Sequence, residues 1–152
     1  MYLLLFLFFI YISFISIYIY ATIKLPYQKL DFSVTPSLSV VVAIRNGEES
    51  IQSLINNLIN QDYPGSLEFI LVDDESDDKT KDIIMYNINL DKRFRYFSSL
   101  EGDKNLSNKK RALDFGILNA QYDYLLFTDV DCVIPKTWVS TMSRYFQTGY
   151  EY

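Results

Sequence analysis

Three short runs rich in apolar residues, LSVVVAI (38–44), LEFILVD (67–73) and YDYLLFTD (122–129), are separated by segments of helical spacing. LSVVVAI is valine-rich and unbroken by charge, the pattern of a strand buried on both faces, as in a parallel sheet covered by helices. Between the first two runs, ESIQSLINNLINQ places Ile51, Leu54, Ile55, Leu58 and Ile59 on one helical stripe, and Tyr63-Pro64-Gly65 ends it. DKTKDIIMYNINL (78–90) predicts a second helix of poor periodicity, capped by Asp77 or Asp78. FRYFS (94–98) predicts a weaker strand. Ser107 predicts the N-cap of a helix carrying Ala112, Leu113, Gly116, Ile117 and Ala120 on one face, and Trp138, Val139, Met142 and Phe146 predict a last helix after Pro135. Strands alternating with helices imply βαβ units and a mainly parallel α/β sheet over residues 38–152. Cys132 and Trp138 are expected to fill the core.

In such a sheet the C-terminal ends of all strands lie along one edge, where ligands bind. The four expected ends are Arg45-Asn46-Gly47-Glu48, Asp73-Asp74-Glu75-Ser76, Ser98-Ser99 and Asp129-Val130-Asp131. No G-x-G-x-x-G or G-x-x-x-x-G-K-[ST] motif is present, so neither a dinucleotide fingerprint nor a P-loop explains the polar edge. The edge is acidic, and carboxylates repel a diphosphate unless a cation lies between them. Asp129 and Asp131 are hard oxygen donors suited to Mg²⁺ or Mn²⁺, with phosphate oxygens and water filling the remaining positions. Lys109-Lys110-Arg111 opens a helix whose cationic side chains and amides could face the same phosphates, or form a solvated face. DDESDDKT (73–80) also reads as a solvated loop; it lacks the glycine and terminal glutamate of a calcium loop.

Composition removes several function classes. The chain has no histidine, which excludes histidine triads and histidine zinc sites, and its single cysteine cannot form an intrachain disulfide. The net charge of -5 argues against nucleic acid as a partner.

Residues 1–23 carry no charge. As a helix they span ~34 Å, against a hydrocarbon core of roughly 30 Å. Tyr2 at one end and Tyr18 and Tyr20 at the other suit the two interfaces. A cleaved signal peptide would want a basic leader and a shorter apolar core. Residues 1–23 are therefore expected to be an uncleaved transmembrane helix. Lys24 and Lys29 follow it and nothing basic precedes it, so the remainder is expected in the cytoplasm. Residues 24–37, with Pro26 and Pro36, read as a juxtamembrane linker.

VVVAIRNGEESIQSLINNLINQDYP (40–64), EFILVDDESDDKT (68–80), SNKKRALDFGI (107–117) and YLLFTDVDCVIPKTWV (124–139) together resemble the family 2 glycosyltransferases of the GT-A fold. The resemblance covers about residues 38–140, with four motifs in the family's order. It implies a nucleotide-diphosphate sugar donor, UDP-linked by preference, and metal-dependent, inverting transfer to an acceptor hydroxyl of a glycan or lipid-linked molecule. On that resemblance Ala43, Arg45 and Glu48 line the base and ribose, and Asp73 and Asp74 supply the carboxylate that contacts the base or ribose. Lys109 lies near the nucleotide, Asp129 near the ribose and donor sugar, and Asp131 ligates the metal. Gly47 stands where the family often has glutamate, and Asn108 where it often has glycine. The family's general base is an Asp or Glu well beyond the D-x-D. Here 21 residues follow Asp131 and Glu151 is the only acid among them, so the base is expected beyond Tyr152 and the chain is expected to be a truncated donor-binding half.

Two other readings are open. A truncated, membrane-tethered remnant would bind a nucleotide without catalysis. LLFTDVDCVI also fits the haloacid-dehalogenase phosphatase signature, with Asp129 as nucleophile and Asp131 as general acid. That motif ends the first strand of its domain, whereas here it ends the fourth.

Overall fold

The computed structural model describes residues 2–24 and 35–148. Helix α1 (Tyr2–Lys24) buries none of its residues against the protein and has a mean hydropathy of 2.4 over its most apolar window. By length and composition it can cross a membrane. Most of the expected linker, including Pro26 and Lys29, lies outside the described residues, as does Glu151.

The other elements are β1 (Leu38–Ile44), α2 (Ile51–Ile59), β2 (Leu67–Asp73), α3 (Thr80–Leu90), β3 (Phe94–Ser98), α4 (Asn108–Leu118), β4 (Tyr124–Phe127) and α5 (Trp138–Ser143). The four strands form one parallel sheet of order β3-β2-β1-β4. The chain starts at β1, adds β2 and β3 on one side, then returns to add β4 on the other. The crevice between the C-terminal ends of β1 and β4 is therefore the topological switch point.

Side chains alternate across the sheet, and the two faces meet different helices. Val40, Val42, Phe69, Leu71 and Phe94 face the larger core, with Leu54, Ile55 and Leu58 of α2, Ile84 of α3 and Val139 of α5. Val41, Ile70 and Val72 face Ala112 of α4. Gly116 lets α4 approach closely, since a Cβ there would overlap Val41 Cγ1. At the N-terminal end of this face, the buried Glu68 accepts from Ser39 Oγ at 2.6 Å, Arg95 Nη1 at 2.9 Å and the Gln121 backbone N–H. Burial pushes its pKa up, but these donors outweigh burial and hold it below the usual carboxylate range.

Several expectations are corrected. The fourth strand covers Tyr124–Phe127 rather than 122–129, because Tyr122 N–H turns away to Ser39 Oγ. It lies at one end of the sheet: β4 pairs only with β1 among the described strands, leaving Tyr124 and Phe127 exposed while Leu126 is buried. Ile117 points outward on α4. Ser107 occupies the N-cap position, but its side chain makes no capping bond. Cys132 is exposed, because it follows the D-x-D on an open loop. Trp138 is half-buried against the larger core.

Candidate functional site

The loops after β1 and β2 are laced together by five hydrogen bonds. Asn46 N–H donates to Ser76 Oγ at 2.9 Å, Gly47 N–H to Thr80 Oγ1 at 2.8 Å, and Glu48 N–H to Asp78 Oδ2 at 3.0 Å. In the other direction Asp77 N–H donates to Asn46 Oδ1 and Lys79 N–H to Glu48 Oε2, both at 3.0 Å. Asp78 also accepts from Thr80 N–H at 2.9 Å, although the N-cap position of α3 falls on Lys79 rather than on the expected Asp77 or Asp78. Asn46 has φ 51°, a left-handed conformation that asparagine tolerates better than most residues. The lacing makes one platform out of two strand ends.

Beside that platform, at the β1–β4 switch point, lies a cavity of about 450 Å³. The β1 side contributes Ala43, Arg45, Asn46, Gly47, Glu49 and Ser50. Asp74 enters from the end of β2 and Lys109 from the start of α4. Asp129, Val130 and Asp131 close it from the end of β4. Gly47 admits the last segment: a Cβ there would lie 3.0 Å from both Ile44 Cγ2 and Val130 Cγ2.

Of the residues singled out from sequence, Ala43, Arg45, Asp74, Lys109, Asp129 and Asp131 line this cavity. Glu48 and Asp73 do not. Glu48 is turned to Lys79 N–H. Adjacent strand residues project to opposite faces, so Asp73 and Asp74 part company. Asp73 accepts from Ser76 N–H at 3.3 Å and lies 3.4 Å from the Tyr96 hydroxyl. Burial, then the Asp73 charge, pushes the Tyr96 pKa up to about 12. Asp74, 3% exposed, turns to the α4 face and accepts from Ser99 Oγ at 2.8 Å, with Arg111 Nη2 3.7 Å away. Asn46, Gly47 and Val130 were placed at the expected ligand edge without a role, and Glu49 and Ser50 were not singled out.

Lys109 Nζ lies 2.5 Å from Asp129 Oδ1, and both side chains are more than half exposed. Such a pair contributes only about 0.2–1 kcal/mol, so a ligand can separate it at small cost. Asn108 has φ 52°, which explains why asparagine stands at a position where glycine is also at home. No group of three or more His, Cys, Asp or Glu side chains converges among the described residues. Asp129 and Asp131 alone fit a hard cation whose other ligands are water and phosphate oxygens, the usual arrangement for Mg²⁺.

The glycosyl transferase family 2 model matches residues 39–152. The chain belongs to glycosyl transferase family 2. A poly-beta-1,6-N-acetyl-D-glucosamine synthase of Staphylococcus epidermidis is 30% identical over 124 residues, covering 78% of this chain and 29% of that protein. This family 2 chain thus spans under a third of that relative's length. Among solved structures, Staphylococcus aureus TarS in complex with UDP aligns with a TM-score of 0.61 at 27% identity, over 74% of this chain and 32% of that one. The mannosyltransferase PcManGT of Pyrobaculum calidifontis, in complex with GDP-Man and Mn²⁺, aligns with a TM-score of 0.68 at 22% identity, over 82% and 36% of the two chains, which speaks to the fold alone. The parallel sheet flanked by helices is the GT-A-like architecture of these neighbours, and the family is one of glycosyltransferases.

Proposed function

We propose that residues 38–152 are the donor-binding half of a metal-dependent, inverting glycosyltransferase. It takes a sugar from a nucleoside diphosphate, UDP by preference, and passes it to the hydroxyl of a glycan or lipid-linked acceptor. In this reading residues 1–23 anchor the chain in the membrane with the domain on the cytoplasmic side. The observation that carries the proposal is the meeting of Asp74, Lys109, Asp129 and Asp131 around one cavity at the switch point of the sheet. The UDP and UDP-GlcNAc named for the TarS structures support a nucleotide-sugar donor.

The residues divide the donor between them. Asp74 accepts an N–H of the base or a ribose hydroxyl, and Ala43 and Arg45 flank the nucleoside. Asp129 faces the ribose and donor sugar. Lys109, once released from Asp129, places its charge against the diphosphate. Asp131, helped by Asp129, holds the divalent ion. When bound, Mg²⁺ or Mn²⁺ stabilises the charge that develops on the leaving diphosphate.

Calorimetric titration of UDP into the full chain in detergent tests the reading. Binding is expected to need Mn²⁺ or Mg²⁺, and Asp131→Ala is expected to abolish that requirement. Equal binding with and without metal, or no binding of any nucleoside diphosphate by the folded protein, would overturn it.

A further inference from the structure

Arg111 stands two positions after Lys109 in the first turn of α4, yet it is not among the residues that line the cavity. Its side chain is 15% exposed and reaches back to the β2 strand end. Nη2 pairs with Glu75 Oε1, lies 3.3 Å from Ser99 Oγ and 3.7 Å from Asp74 Oδ1. Ser99 in turn donates to Asp74 Oδ1 at 2.8 Å. Guanidinium, hydroxyl and carboxylate therefore form a relay that ends on one oxygen of a cavity residue. The other oxygen, Oδ2, enters no hydrogen bond among the described residues. Arg111 also holds Glu75, whose φ of 60° is unfavourable for that residue.

Two features separate this arrangement from an ordinary surface ion pair. The Arg111 Nε–H is buried and has no partner in the structure. A buried N–H is normally paired, so the hydrogen bonding of Arg111 itself does not account for its placement. Of the polar and charged side chains that line the cavity, Asp74 at the end of the relay is the one that is buried.

We infer that Arg111, acting through Ser99, is a positioning residue that fixes the Asp74 carboxylate and thereby sets which nucleobase the donor site accepts. The inference rests on the donor-site reading above. An ionised carboxylate can only accept hydrogen bonds. A fixed Asp74 Oδ2 placed opposite N3 therefore selects a base with an N–H at that atom, as uracil has, and disfavours cytosine, whose N3 carries a lone pair and whose only pairing-edge donor is the displaced 4-amino group. A mobile Asp74 could swing away from the mismatched base, so discrimination depends on the clamp as well as on the carboxylate.

UDP and CDP share ribose and phosphates and differ at that edge, which makes them the probes. Their affinities are measured by calorimetry with Mn²⁺ on the full chain in detergent. The wild type is expected to favour UDP by at least about tenfold, and Arg111→Met to lose most of that ratio by weakening UDP about tenfold while leaving CDP little changed. Arg111→Lys, which keeps a charge without the fork, is expected to restore part of the ratio. Ser99→Ala is expected to shrink the ratio in the same direction, and it decides the matter if Arg111→Met does not fold. An Arg111→Met that weakens UDP and CDP equally, or a Ser99→Ala with the wild-type ratio, overturns the positioning role while leaving the donor site intact. A wild type that binds neither nucleotide overturns the donor site itself.

Discussion

Glu48 and Asp78 each bind the backbone of the other's loop: Glu48 Oε2 accepts from Lys79 N–H at 3.0 Å, one residue past Asp78, and Asp78 Oδ2 accepts from Glu48 N–H at 3.0 Å. Each carboxylate thus serves the loop that presents the other. The exchange joins the loops that follow β1 and β2, beyond the point where Asp74 N–H donates to the Ile44 carbonyl at 2.7 Å.

Asp78 accepts from two backbone donors, Thr80 N–H and Glu48 N–H, so its loss leaves two groups to find water. Asp78→Ala is expected to lower stability by about 1–2 kcal/mol, and Glu48→Ala by about 1 kcal/mol. Because the two bonds join the same pair of loops, the double variant is expected to lose less than the sum. Urea denaturation of the four proteins gives the comparison; strict additivity would contradict the welded-loop account.

Glu68 supplies a pH dependence at the opposite end of the sheet. Burial raises its pKa, and the Ser39, Gln121 and Arg95 donors lower it further than burial raises it. A carboxyl with a depressed folded-state pKa contributes stability that is fully present above its unfolded value of about 4.3. That contribution is lost as pH falls through the lower folded value. Glu68→Gln is therefore expected to reduce stability at neutral pH and to flatten the loss of stability below about pH 4. Thermal midpoints measured from pH 7 down to pH 3 would show it; parallel curves for the two proteins would not fit.

Gly116 sits where α4 presses on β1 and β2. A Cβ would overlap Val41 Cγ1 and stand 3.1 Å from Val72 Cγ2. Helix propensity alone predicts that Gly116→Ala stabilises by about 1 kcal/mol, whereas overpacking predicts a loss of about 1–3 kcal/mol. We expect a net loss of stability, because the contacts are with side chains already held in the sheet. A raised unfolding midpoint would show that α4 can retreat without cost.

The proposed orientation of α1 rests on Lys24 and Lys29, the basic residues that follow the apolar stretch. Protease added to intact cells is expected to spare residues 38–152, and permeabilised cells to lose them. Digestion from outside, or a mature N-terminus near Ala21, would contradict an uncleaved anchor with a cytoplasmic domain.

Sequence alone determined the parts that depend on local pattern. Apolar runs at 38–44 and 67–73 and the stripe Ile51, Leu54, Ile55 and Leu58 predict β1, β2 and α2 because burial enforces a period on each element. The polar clusters that follow the strands mark the ligand edge for the same reason: a parallel sheet aligns its strand ends. Strand order, by contrast, is decided by long-range pairing, and the return of β4 beside β1 is what brings Asp129 and Asp131 to Lys109 and Asp74. Facing direction at the strand ends was equally illegible. Asp73 and Asp74 are the same residue type in sequence, and the pleat alone sends one to Tyr96 and the other to Ser99 and Arg111. Arg111 read as part of a basic run, and its burial became visible only where α4 packs on the sheet, because a helix reveals its inward face through its neighbours rather than its own charge pattern.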